Sequence, residues 1–128
     1  MQMNRESGAS EQEVAELEKR LKLSLPDSYK SILRFTNGAA GRIGSQEFLL
    51  YSIDEALDAN SKLQAFTEGL VIFGSNGGDE AYVFDPANNW YIGMSPWIPM
   101  GRRELVPVSR TLNEFFTVLR NRKNLGGG

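Results

Sequence analysis

Cysteine and histidine are both absent from the 128 residues of this chain. Without cysteine there can be no disulfides and no thiolate metal sites, which favours a reducing compartment and an expected cytoplasmic location. Without histidine the chain lacks the side chain whose unperturbed pKa lies near neutrality. Ser-His-Asp and Cys-His arrangements are therefore excluded, and zinc loses its usual ligands. Carboxylate, lysine and tyrosine chemistry stays open, so the composition disfavours catalysis without excluding it. No run of about 18 apolar residues is present to cross a membrane. Residues 1–10 are polar and lack the apolar stretch of a secretory signal.

A strong charge bias is missing too. The formal net charge is -2 and basic residues are mixed with acids along most of the chain, the exceptions being Arg102-Arg103 and the Arg120, Arg122, Lys123 tail. Nucleic-acid binders usually carry a basic patch or a high pI, so direct nucleic-acid binding is not expected. What is present is an ordinary globular composition, 41% hydrophobic and 23% charged, at a length that fits one domain.

Local signals divide the chain into elements. Ser10 and Glu13 form a capping box that opens a helix from about Glu11 to Lys22, with Val14, Leu17 and Leu21 as its apolar stripe. Glu16 to Arg20 and Glu18 to Lys22 are spaced for i,i+4 ion pairs on the solvent face. Leu25-Pro26-Asp27-Ser28-Tyr29 starts a second helix, buried through Tyr29, Ile32, Leu33 and Phe35, and Asn37-Gly38 stops it. These two helices are expected to form an αα-hairpin. Ala39 to Ser45 is small and glycine-rich and reads as a loop. Phe48–Tyr51 reads as a strand, and Ser52 or Asp54 caps a short helix through Ala56, Leu57 and Ala59, with Leu63 and Phe66 beyond it.

The middle is β-rich. Leu70–Gly74, Ala81–Asp85 and Trp90–Met94 read as three strands of an antiparallel meander, separated by turns at Ser75–Asp79 and Pro86–Asn89. Trp97–Met100 is expected as an edge segment and Leu105–Val108 as a further one. Thr111 and Glu114 cap a closing helix carrying Leu112, Phe115, Phe116 and Leu119. The expected fold is α+β: a central, largely antiparallel sheet with the N-terminal αα-hairpin and the C-terminal helix packed on it. One domain is expected over residues 10–120, with 1–9 and 121–128 as tails.

Several residues are candidates for function. Ser75-Asn76-Gly77-Gly78-Asp79 is not followed by lysine or a helix, so a hairpin turn is favoured over a phosphate-binding loop. Asp79, Glu80 and Asp85, with Asp54, Glu55 and Asp58 elsewhere, lack EF-hand spacing, and an acidic patch facing basic residues of a partner is preferred to a metal site. Trp90, Tyr91 and Trp97 are hot-spot residue types and equally suited to a core; Trp97, between two prolines, is expected to be the exposed one. Arg102 and Arg103 lie in a loop that suits a carboxylate partner or plain solvation. The candidate protein-binding set is Asp79, Glu80, Tyr82, Asp85, Trp90, Trp97, Arg102 and Arg103, with no cofactor and no metal.

Four stretches in this order resemble the SUKH superfamily, which includes the yeast cell-wall-synthesis regulators of the Smi/Knr type. They are the helix with Glu13, Leu17 and Glu18; Leu25-Pro26-Asp27-Ser28-Tyr29-Lys30 with Leu33 and Asn37-Gly38; Phe73–Asp79 running into Tyr82 and Asp85; and the helix with Phe115, Phe116 and Leu119. The segment Trp90–Val108 matches less well. The resemblance implies an α+β fold without a catalytic site. For a bacterial chain it implies an immunity protein that binds and neutralises a cognate toxin, often a nuclease. For a fungal chain it implies a non-enzymatic regulator or adaptor.

Overall fold

The computed structural model describes residues 2–5, 7–43, 46–63, 69–98 and 100–121. The elements are β1 (Gln2–Arg5), α1 (Glu11–Leu21), α2 (Asp27–Phe35), β2 (Ala39–Ile43), β3 (Gln46–Leu50), α3 (Ile53–Lys62), β4 (Val71–Ser75), β5 (Glu80–Asp85), a 3-10 turn (Pro86–Asn88), β6 (Tyr91–Pro96), β7 (Val106–Ser109) and α4 (Leu112–Asn121). The seven strands form one sheet in the order β1-β2-β3-β4-β5-β6-β7, with every neighbouring pair antiparallel. The α+β class, the αα-hairpin and the closing helix are as the sequence predicts. Phe66, the Arg122-Lys123 pair and the terminal glycines lie outside the described residues.

Strand alternation splits the sheet into two faces. Phe48, Val71, Phe73, Tyr82, Phe84, Ile92 and Met94 point to one side. There they meet Val14 and Leu17 of α1, Tyr29 and Leu33 of α2, and Phe115 and Leu119 of α4. Ile72, Ala81 and Val83 point to the other side and meet Met100, with Ala59, Leu63, Trp97 and Leu105 packed around them. β5 is therefore buried on both faces from Ala81 to Asp85. Each fully buried large apolar side chain contributes about 1.5–3 kcal/mol relative to exposure. The aromatic group at the centre, Phe73 on Phe84 at 4.4 Å and Tyr82 against Phe115 at 4.9 Å, is the densest part of that core.

Four features differ from the sequence reading. Phe35, placed by the sequence on the buried side of α2, is 57% exposed, because it follows Leu33 by two positions and so points away from the face that Tyr29 and Leu33 bury. Ala39–Ile43 is not a loop but the interior strand β2, paired with β1 on one side and β3 on the other. Its pairing is set by distant partners, which local composition does not report. The segment expected as an N-terminal tail contains β1, and Ala9 is buried with its N–H donated to the Leu33 carbonyl. Glu18 does not pair with Lys22, which turns away in the left-handed conformation at φ 59°. Instead, Glu18 Oε2 accepts the Leu25 N–H at 2.7 Å and lies 3.5 Å from Lys30 Nζ, fastening the link between α1 and α2. The Glu16–Arg20 pair forms as spaced, at 3.3 Å.

Tyr29 sits in this core against Phe84 and Phe73, and its hydroxyl has no hydrogen-bond partner among the described residues. Burial pushes its pKa well above the ordinary phenol value. The raised pKa means that the folded chain holds the proton more tightly than the unfolded chain. The stability this gives is present below about pH 10, where the unfolded phenol ionises, and is lost as pH rises beyond it. Tyr29→Phe is expected to be as stable as the parent at pH 7 or more stable by about 1 kcal/mol, because a desolvated hydroxyl is removed. It should also flatten the alkaline limb of the stability profile. Urea titrations at pH 7 and pH 10.5 check both, and a loss above about 1 kcal/mol at pH 7 would show a hidden partner for the hydroxyl.

Candidate protein-docking surface

The β4–β5 turn is organised by one side chain. Asn76 Oδ1 accepts the N–H groups of Gly78 at 2.9 Å and Glu80 at 3.2 Å, while its Nδ2 donates to Glu80 Oε1 at 3.3 Å. Ser75 Oγ accepts the Gly77 N–H, and Gly77 adopts φ +79°, which favours glycine. The N–H groups of Gly77, Gly78 and Glu80 are thus spent inside the turn, leaving no cradle of these donors for a phosphate. The expected hairpin turn is what forms, and it presents Asp79 to solvent.

A second segment, residues 97–98 and 100–105, folds back onto that turn. The Trp97 backbone N–H donates to the Asp79 carbonyl at 3.1 Å, and its indole Nε1 donates to the Gly78 carbonyl at 3.0 Å. Met100 is buried among Leu70, Ile72, Ala81 and Val83. Arg102 Nη1 lies 2.7 Å from Asp85 Oδ1, a carboxylate only 7% exposed. The segment closes through Glu104 N–H to Gly101 O and Leu105 N–H to Arg102 O. It is a built loop and not the expected edge strand.

This geometry sorts the candidate residues. Tyr82 is wholly buried, with its ring against Phe73 and Phe115 and its hydroxyl donating to the Glu47 carbonyl, so it cannot face a partner. Asp85 is the buried anchor for Arg102, not part of an acidic surface. Trp90 is half-buried and packs edge-on against Phe84 at 5.7 Å. Trp97 is half-buried over the turn and does not carry the exposure expected of it. Asp79 and Arg103 are exposed and Glu80 is half-buried. The residue that sequence reasoning missed is Ile98, 91% exposed beside Trp97. Nothing local distinguishes the two, because the indole turns inward to reach an acceptor that the turn supplies.

The most distinctive sequence block serves architecture. Asn37 Oδ1 accepts the Ile53 N–H at 2.8 Å and the Asn37 N–H reaches the Ser7 carbonyl, tying α2 to α3 and to the N-terminal segment. Gly38 adopts φ +99°, where a Cβ would press on the Ser52 backbone. At the far end of β4 from the turn, a hollow of about 650 Å³ is lined by Leu21, Leu57, Leu70 and Val71, with Arg20 and Lys22 at its rim. Its described lining carries no carboxylate and no acid–base pair. Among the described residues no group of three or more acids could hold a metal ion, and no helix is long and apolar enough to cross a membrane.

A family model described as the SMI1 / KNR4 family (SUKH-1) matches residues 8–117. No curated protein matches the chain.

Proposed function

The chain belongs to the SMI1 / KNR4 family (SUKH-1), and from that premise we propose that it is a non-enzymatic immunity protein that binds a cognate toxin domain in the cytoplasm and blocks it by occlusion. The observation that carries the reading is the turn-and-loop surface, in which Trp97 is bonded to the β4–β5 turn and Arg102 to Asp85, so that backbone and side-chain bonds order the groups this surface presents. Steric inhibition needs only a rigid, shaped surface. Groups fixed before binding lose less conformational freedom on association, so more of the contact energy appears as affinity. Acidic groups near the contact raise the association rate with a basic toxin and help to select it.

Co-expression tests this function. Cells producing a cognate toxin domain are expected to lose viability, and the chain is expected to restore it to the level of uninduced cells. Failure to protect, together with no complex on co-purification, would leave a regulatory or adaptor module as the better reading.

A further inference from the structure

The chain contains two Asn-Gly pairs, Asn37-Gly38 and Asn76-Gly77. In such a pair the peptide nitrogen that follows asparagine can attack the side-chain carbonyl carbon, and glycine has no Cβ to block the approach. The two pairs are equivalent in sequence, and the fold separates them. At the first, the side chain is directed away from its own main chain. Asn37 Oδ1 accepts the Ile53 N–H at 2.8 Å, sixteen positions on, which bridges α2 to α3. Gly38 lies against the Ser52 backbone, where even a Cβ would be crowded. Closing a ring onto the Gly38 nitrogen would break that bridge.

At the second pair the side chain is already folded over the peptide that follows it. Asn76 Oδ1 accepts the Gly78 N–H at 2.9 Å, an Asx turn, which brings the side-chain carbonyl back over the intervening Gly77 peptide. The same oxygen accepts the Glu80 N–H at 3.2 Å. Addition of the Gly77 nitrogen to Cγ places negative charge on Oδ1, where these two N–H groups already point. Donors fixed where charge develops lower a barrier without having to reorganise. They are fixed here because the Asn76 N–H donates to the Glu80 carbonyl and Trp97 bonds to the carbonyls of Gly78 and Asp79. The Gly77 N–H is drawn to Ser75 Oγ at 3.2 Å, and Nδ2, the group to be expelled, is held by Glu80 Oε1 at 3.3 Å.

We propose that Asn76 is a self-modification site, at which the turn promotes cyclisation with loss of ammonia and water then installs a carboxylate. In the first step hydroxide removes the Gly77 amide proton and the bond from that nitrogen to Cγ forms. The Cγ–Nδ2 bond breaks as Nδ2 takes a proton from water and departs as ammonia, leaving a five-membered succinimide. In the second step water adds to one of the two ring carbonyls and the ring opens there. Opening at Cγ restores the main chain with aspartate at position 76. Opening at the main-chain carbonyl gives isoaspartate, in which Cβ and Cγ have become part of the backbone. Both products set a negative charge against the Glu80 carboxylate. Only isoaspartate lengthens the main chain, so only it should release Trp97 from the turn. None of this depends on what the protein binds, although the turn belongs to the proposed docking surface.

The test incubates the full chain at mildly alkaline pH, in native buffer and in guanidinium chloride, and follows both asparagines by peptide mass spectrometry with the aspartate and isoaspartate peptides separated. In denaturant only the shared Asn-Gly sequence remains, so positions 37 and 76 should convert at similar rates. In the folded chain position 76 should convert at least about tenfold faster than position 37, and faster than it does in denaturant. The rate should rise in proportion to hydroxide concentration. Amide exchange at Trp97 should accelerate in the isoaspartate form, whereas Asn76→Asp, which keeps the acceptor for Gly78 and Glu80, should leave it protected. Conversion at position 76 that is no faster in the folded chain than in denaturant, or no faster than at position 37, overturns the proposal, because the turn would then shield the side chain and not activate it.

Discussion

Replacing Asn60 with leucine is expected to cost the fold about 2–5 kcal/mol, although the side chain lies on a surface helix and is similar in size. β3 and β4 pair only at Leu49–Ser75 and Leu50–Gly74, so the first half of β4 has no strand beside it there. α3 lies along that gap, and Asn60 replaces the missing strand. Its Oδ1 accepts the Ile72 N–H at 2.8 Å, and its Nδ2 donates to the Ile72 carbonyl at 2.9 Å and to the Ala56 carbonyl at 2.7 Å. Ile72 is fully buried. Leucine would leave its N–H and carbonyl without partners, and each such group costs about 1–3 kcal/mol. Asn60→Asp keeps the acceptor and loses the donor, so it too should destabilise. Urea denaturation of the three proteins measures this, with an unchanged slope expected if unfolding remains two-state. A loss below about 1 kcal/mol for Asn60→Leu would mean that solvent reaches Ile72.

The second large effect is expected at the same join. A methyl group at Gly74 would lie 2.3 Å from the Leu49 carbonyl oxygen and 3.2 Å from the Tyr82 ring. The first contact is with backbone and cannot be relieved by a rotamer change. Phe73 is the extra residue of a bulge opposite β5, so β4 is already bent at this point. Gly74→Ala should therefore force β3 away from β4 at a cost of about 3 kcal/mol, in the upper part of the range for single substitutions. The damage should be uneven. Amide exchange should accelerate at the β3–β4 pairing and through β2, while the β5–β6 ladder of six pairs keeps its relative protection. Native stability in Gly74→Ala would show that the two strands are further apart than the structure places them.

These two residues mark where sequence reasoning stops. The helix starts were legible because their chemistry is local. Ser10 with Glu13 and Ser52 with Glu55 form reciprocal capping boxes, and Thr111 accepts the Glu114 N–H. The hairpin turn at Asn76-Gly77 was legible for the same reason. β2 was not, because Ala39–Ile43 becomes a strand through partners at Gln2–Arg5 and Gln46–Leu50, and its own residues look like a loop. Asn60 was invisible because Ile72, whose backbone it satisfies, is twelve positions away, and Gly74 reads only as the last residue of a strand, with nothing local to show the close approach of β3 that requires it.

The candidate site was legible only in outline. The acidic turn and the tryptophan–proline segment do come together, through Trp97 and Asp79. Within them the roles were exchanged. Asp85 and Tyr82 turn inward because alternate strand residues face opposite layers, and both layers are covered at β5. The exposed position fell to Ile98 because the indole of Trp97 found an acceptor and an apolar bed that a sequence cannot display. The family motif is largely scaffold, with Asn37 and Gly38 at the join of α2 and α3.

Neutralisation by binding is stoichiometric, and the residual activity of a cognate toxin domain measures it as this chain is titrated in. Residual activity should fall linearly and reach zero at one equivalent, at toxin concentrations well above the dissociation constant. Full activity at about tenfold excess of the chain would contradict the claim, as would complete loss at far less than one equivalent, which would require turnover.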